Sequence, residues 1–412
     1  MENKKRIIEI PQGNISSPSG FKSSGVKAGL KQSGALDLAL IFSECPAVTA
    51  GVFTSNLFVA APVQYCRNNL NNNIYSHAII INSGNANACT GKPGYRDAVN
   101  MADYTAELLN IDSNNVLVAS TGRIGISLPM DKTLKGITAA VAGLSFDGGN
   151  TSAKAIMTTD TRPKEIAVQL NIEGKIITVG GMAKGAGMIA PRLTLPHATM
   201  LAFITTDANV SHPYLKSVLQ SVADESFNRI SVDGDMSTND SLFIMANGKA
   251  ENTVLEPNSP GSDLFEEAVK KVACYLAKEI VKDGEGVTKC VTLKIENAAT
   301  EKDAKLCAEA ITNSLLCKTA WFGNDPNWGR VVAAAGYSGA LFDPSKVNVY
   351  YDHLQVVLNG GDAKTPEEDV VKILEKSSFT LKVDLSAGRC SYYMWTNDIS
   401  YDYVKINADY HT

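Results

Sequence analysis

A glycine-rich turn that runs into a threonine is the first place in this sequence where residue types and spacing suggest chemistry. The stretch reads Lys184-Gly185-Ala186-Gly187-Met188-Ile189-Ala190-Pro191, continues from Arg192 to Pro196, and then gives His197-Ala198-Thr199-Met200-Leu201. Thr199 precedes the apolar run Met200 to Ile204, which places it at the mouth of an expected buried strand. A threonine hydroxyl attacks poorly unless a base lies beside it. The residue's own α-amine can be that base once the chain is cut just before it. A flexible approach ending in Ala198-Thr199 suits such a cut. Most threonines at strand starts are structural, so the surrounding residues carry the weight.

Ser120-Thr121-Gly122-Arg123-Ile124-Gly125 follows a strand-like run and exposes backbone N–H groups where it turns. Acyl transfer needs donors aimed at the oxygen of a tetrahedral intermediate, and such a turn supplies them; the plain alternative is an ordinary strand exit. Asp283-Gly284-Glu285-Gly286 puts a carboxylate on a turn after a long helix, as a solvated acid or as a ligand for a substrate amine. Asn324-Asp325-Pro326-Asn327-Trp328-Gly329-Arg330 reads as a helix entry or a pocket wall. Gly185 to Ala190 also matches the dinucleotide fingerprint, with Asp207 suitably placed beyond it. Pro191 and Pro196 interrupt the helix that fingerprint needs, so it is rejected. Asp233-Gly234-Asp235 opens like a calcium loop, but Thr238 stands at the glycine position and Ile244 at the bidentate Glu position.

The elements that must position these groups are short strands and helices separated by Gly- and Asn-rich turns. Residues 36–42, 77–81 and 115–119 read as strands, and 166–170 with 175–179 as a hairpin turning at Glu173-Gly174. From Asp263 to Lys282, apolar residues at 265, 268, 269, 272, 276 and 280 make a helical stripe. A second helix starts at Thr300, with Asp303 as its capping partner. Hairpins mixed with helices predict an α+β class, a layered mixed α/β architecture, rather than strict βαβ alternation. No linker divides the chain, so the functional boundary falls before Thr199.

A net charge of −5 without a dense Lys/Arg stripe argues against a nucleic-acid partner. No apolar run is long enough to span a membrane, and the basic cluster at the N-terminus has no apolar stretch after it, so a cytoplasmic protein is expected. Eight scattered cysteines without a C-x-x-C pair read as reduced, mostly buried thiols, and the histidines show no metal-ligand spacing, so no metal is expected.

Taken together, the blocks closely resemble the ornithine acetyltransferase family of arginine biosynthesis, also called glutamate N-acetyltransferases. The resemblance runs through Asn82-Ser83-Gly84-Asn85-Ala86-Asn87-Ala88-Cys89-Thr90-Gly91, Ser120-Thr121-Gly122, Thr158-Thr159-Asp160-Thr161 and the Lys184 turn with Ala198-Thr199-Met200-Leu201. It continues through Ser226-Phe227-Asn228-Arg229-Ile230, Asp233-Gly234-Asp235, Gly284-Glu285-Gly286, Asp325-Pro326-Asn327-Trp328-Gly329-Arg330 and Ile406-Asn407-Ala408-Asp409-Tyr410. It implies the fold of that family and self-cleavage between Ala198 and Thr199. The products would be an α chain (1–198) and a β chain (199–412, with a C-terminal subdomain over roughly 290–412), associated as α2β2.

The implied reaction is ping-pong transfer of an acetyl group from N2-acetyl-ornithine to glutamate through Thr199, with no cofactor. Bifunctional relatives also take acetyl-CoA as donor. By the same resemblance Thr121 and Gly122 form the oxyanion hole, and Thr158, Lys184, Thr199, Glu285, Asn407 and Thr412 bind substrate. Lys184 suits an α-carboxylate and Glu285 a cationic amine. Two departures bear on cleavage and substrate choice: residues 192–197 form a longer segment, with His197 for an apolar residue, and Arg123 replaces an aliphatic one. The competing readings are an N-terminal-nucleophile amidase or aminopeptidase, in which water resolves the acyl-enzyme, and an uncleaved binding protein.

Overall fold

The computed structural model describes residues 7–190 and 200–409. Among the described residues nine strands form one sheet. Its spatial order is Ile8–Glu9, Lys164–Ile172, Lys175–Lys184, Leu201–Thr206, Ser241–Ala246, Leu38–Phe53, Tyr75–Asn85 and Val116–Arg123, and Phe21–Val26 pairs with the first half of Leu38–Phe53. At the centre, Leu201–Thr206 runs parallel to Ser241–Ala246 and antiparallel to Lys175–Lys184. Both central strands are mostly apolar and buried throughout, because both faces of the sheet are covered.

Alternate residues serve the two faces. Ala202 and Ile204 pack with Leu242 and Ile244 under the helices His212–Glu225 and Ser262–Lys282. Leu201 and Phe203 join Phe243 and Met245 on the opposite side, where Ala61–Asn72 and Gly149–Ala155 close the core. The stripe read from the sequence at Phe265, Ala268, Val269, Val272, Leu276 and Ile280 is buried without exception.

A second sheet of seven strands spans Ile230–Ser231 and the strands from Cys290–Ala298 to Cys390–Asn397. Helices Glu301–Thr312, Leu315–Phe322, Trp328–Gly336 and Glu367–Leu374 pack on it around Trp321, Tyr351 and Phe379. Thr300 accepts a hydrogen bond from the Asp303 backbone N–H, the cap expected from the sequence. Asn327 caps Trp328–Gly336 in the same way, so the Asn324–Arg330 segment is a helix entry. The short strand Ile230–Ser231 pairs with Trp395 and Thr396 and ties this layer to the first. The architecture is the layered α+β one expected.

Three sequence readings are corrected. The first strand extends to Phe53 rather than ending at 42, bending at an irregular register between Phe42 and Ala47. The strand from Tyr75 continues through Asn85, because Asn82, Ser83 and Gly84 pair in register with Ser120, Thr121 and Gly122 where a turn was expected. The thiols are less buried than expected: Cys66, Cys307 and Cys317 are, but Cys89 is exposed and the other four are intermediate.

Candidate active site

Strand ends deliver the polar groups to one place. Val116–Arg123 carries Thr121 and Gly122 just before its end, Lys175–Lys184 ends with Lys184, and Leu201–Thr206 begins beside Met200. All of these line a cavity of about 230 Å³, together with Thr158, Thr159, Glu285 and Asn407. Thr158 and Thr159 follow the helix Gly149–Ala155, Glu285 follows the long helix Ser262–Lys282, and Asn407 projects from Tyr401–Asp409. Six of the residues singled out in the sequence therefore line one cavity, although up to 286 positions separate Thr121 from Asn407. Ala198, Thr199 and Thr412 lie outside the described residues, as do 192–197. Met200, which follows Thr199 in the chain, lines the cavity, and its carbonyl accepts the Ser241 N–H at 2.7 Å.

Gly122 has φ +127°, and a Cβ there would come within 2.5 Å of the Gly84 carbonyl carbon. Only glycine lets the two strand ends approach so closely while keeping this backbone angle. Gly187 has an analogous role opposite Glu285, whose carboxylate would lie 2.4 Å from an added Cβ. Asn407 donates its side-chain amide to Glu285 Oε2 at 2.8 Å, and Glu285 N–H donates to the Ala186 carbonyl at 3.0 Å.

The positive side of the cavity is Lys184, whose Nζ donates to Thr121 Oγ1 at 3.3 Å. Burial pushes its ammonium below the ordinary lysine range, against the attraction of Asp160, Asp240 and Glu285. Burial opposes ionisation of Asp160 as well, but Lys164, Lys184 and the Gly185 N–H overcome it and hold that carboxyl at about 2. The turn 188–189 is fixed by Asp233, which accepts the N–H groups of Met188 and Ile189 at 2.6 and 2.8 Å. The Asp233 carboxylate thus holds the cavity's turn.

Arg123 stands directly after Gly122 at the end of its strand. It is exposed, and Ile124 rather than Arg123 reaches the cavity. Ser237, Thr238, Asn239 and Asp240 line the wall and were given no role from the sequence. Asn239 donates to the carbonyls of Ala86 and Ser120 at 2.5 and 2.8 Å, clamping the strand that delivers Thr121. Their only sequence signal was proximity to the Asp233 block.

A family model described as "ArgJ family" matches residues 22–412. The arginine biosynthesis bifunctional protein ArgJ of Caldanaerobacter subterraneus subsp. tengcongensis is 48% identical over 98% of this chain and 100% of its own. The glutamate N-acetyltransferase of Methanocaldococcus jannaschii is 46% identical over 98% and 100%. A solved structure of ornithine acetyltransferase complexed with ornithine, from Mycobacterium tuberculosis, is 43% identical over 46% of this chain and 100% of that one, with TM-score 0.43. With the family model matching residues 22–412 and the two named biosynthetic relatives each matched over 98% of this chain and 100% of their own, the chain belongs to the ArgJ family of enzymes.

Proposed function

We propose that the protein is an acetyltransferase that moves an acetyl group from N2-acetyl-L-ornithine to L-glutamate after cutting itself between Ala198 and Thr199. One observation carries the reading: Thr121, Gly122, Lys184, Glu285 and Asn407 line the same cavity as Met200, the neighbour of Thr199 in the chain. At about 230 Å³ the cavity is smaller than the roughly 300–1,000 Å³ of drug-sized sites, as a compact acylated amino acid requires.

In this mechanism Thr199 Oγ attacks the acetyl carbonyl carbon and its proton passes to the freed Thr199 α-amine. Thr121 and Gly122 donate to the oxygen that becomes negative. When the intermediate collapses, the C–N bond breaks, and ornithine leaves with that proton on its nitrogen. The α-amine of glutamate then attacks the acetyl-Thr199 ester and its proton returns to Thr199 Oγ, releasing N-acetyl-glutamate. Lys184 suits a substrate carboxylate, Glu285 a substrate ammonium, and Thr158, Asn407 and Thr412 complete the binding set. Acetyl-CoA serves as a second donor if the enzyme is bifunctional, and the cleaved pieces assemble as α2β2.

Intact-mass analysis and N-terminal sequencing, before and after adding N2-acetyl-ornithine, test the proposal. The expected result is two chains, the second beginning at Thr199 and gaining one acetyl group. An uncut chain without adduct overturns it. Acetate release independent of glutamate would favour the amidase reading, and the same assay with acetyl-CoA decides whether that donor is used.

A further inference from the structure

Three charged side chains sit directly behind the cavity wall without entering it. Lys164 Nζ lies 2.6 Å from Asp160 Oδ1 and 2.6 Å from Asp283 Oδ2, with the three side chains 0%, 0% and 4% exposed. Each carboxylate also holds backbone from a different segment. Asp160 accepts the N–H groups of Gly185 at 2.7 Å and Thr158 at 2.9 Å, and Asp283 accepts the N–H of Thr161 at 3.1 Å together with its hydroxyl. The segments 158–161, 184–185 and 283–285 therefore meet on one ammonium group. None of the three charged residues lines the cavity, yet each of those segments contributes one that does: Thr158, Lys184 and Glu285.

Stability alone accounts poorly for this arrangement. Taking three charges out of water costs nearly as much as their attraction returns, and apolar replacements of similar volume are often neutral or better. What the triad supplies is fixed geometry and fixed charge. Lys184 is the fourth member of the group, and two carboxylates balance two ammoniums. Because Thr121 Oγ1 accepts from Lys184, the Thr121 hydroxyl proton is left to donate to another acceptor, the role an oxyanion requires.

We propose that Asp283, Lys164 and Asp160 form a positioning device that couples the two sides of the cavity: Asp283 fixes the segment of Glu285 on one side, Lys164 joins the two carboxylates, and Asp160 balances Lys184, the donor to Thr121, on the other. The groups that face Lys184 electrostatically are Asp160, Lys164, Asp240 and Glu285, with Lys31 from the loop before the first long strand. Asp160 favours the ammonium form and Lys164 disfavours it. Removing Asp160 and removing Lys164, the latter with its second partner Asp283, must therefore move Lys184 in opposite directions, which a mere structural brace would not do.

The catalytic readout rests on the acetyl transfer proposed above. Asp160→Asn is expected to move the alkaline limb of kcat/KM down by about one pH unit, and Lys164→Met combined with Asp283→Asn to move it up. Limbs that stay fixed, or shift in the same direction, overturn the proposal. A second readout is independent of activity: the NMR titration of the labelled lysine side chain whose signal Lys184→Arg removes. Its midpoint should shift the same two ways even if the wild-type enzyme fails to transfer acetyl, which would sink the function but not the device. Should either variant fail to fold, the unaltered protein still decides: a Lys184 that is neutral at about pH 7 contradicts the proposal.

Discussion

Thr121 and Lys184 share a hydrogen bond inside the cavity, and this pairing gives them separable effects. Thr121→Val keeps the shape and burial of the side chain but removes its donor. If Thr121 is the oxyanion donor proposed above, its loss should lower kcat by about 100-fold or more with little change in KM. Steady-state kinetics check this; a raised KM with intact kcat would reassign Thr121 to ground-state binding. Gly187→Ala should do the reverse, because its new methyl group meets the Glu285 carboxylate. KM for the ammonium-bearing acetyl donor is expected to rise while kcat at saturation holds. At this scale the sequence was readable wherever a motif places a group on the wall, as at Thr121, Gly122, Lys184 and Glu285. It was silent on Lys164, whose importance depends on Asp283, 119 positions away, with no local pattern to signal the pairing.

The C-terminal helix Tyr401–Asp409 has no buried residue, so packing contributes little to holding it. It is held instead at particular points. Tyr403 donates its hydroxyl to Asp233 at 3.3 Å, Asn407 reaches Glu285, and the Tyr401 ring meets the edge of Phe322 at 5.3 Å between centroids. A helix attached by polar contacts can lose one of them without unsettling the core. Asn407→Ala is therefore expected to raise KM about tenfold, the worth of a hydrogen bond to a charged group, while leaving the thermal melting midpoint in place. Differential scanning calorimetry beside the kinetics checks both halves. Elements with an apolar stripe, such as Ser262–Lys282, were legible in the sequence because burial imposes their period. This helix was not, since Tyr401 and Val404 face water. The strand extension over 82–85 was hidden for a different reason: polar Asn and Ser are buried there to pair with the strand carrying Thr121.

Across the whole molecule, the two layers meet near Lys318, a fully buried lysine that donates to Thr396 Oγ1 at 2.6 Å and to the Asn397 carbonyl at 2.8 Å. Asn397 in turn donates to the Val281 carbonyl at 3.3 Å, just ahead of the Glu285 turn. Burial lowers the Lys318 ammonium from 10.5 to about 7, despite help from Asp233 and Asp398. Above pH 7 the native chain has lost a proton that the unfolded chain retains until about 10.5, so unfolding takes up a proton and stability rises with pH across that window. This component is worth at most about 1.4 kcal/mol per pH unit, and Lys318→Met should remove it. Denaturant midpoints for both proteins over that window isolate the difference. The central position of Leu201–Thr206 has another consequence. It is bonded on one side to Lys175–Lys184, which precedes the proposed cut, and on the other to Ser241–Ala246, which follows it. A cut ahead of this strand cannot release either piece, but it changes the molecularity of refolding. An uncut Thr199→Ala chain should regain its structure with the same yield at any dilution. The cut enzyme must bring two molecules together again, so its recovery after denaturation should fall as it is diluted. If the proposed cut is made, maturation on this topology is irreversible in a second sense: the cut enzyme no longer contains the single chain from which it first folded.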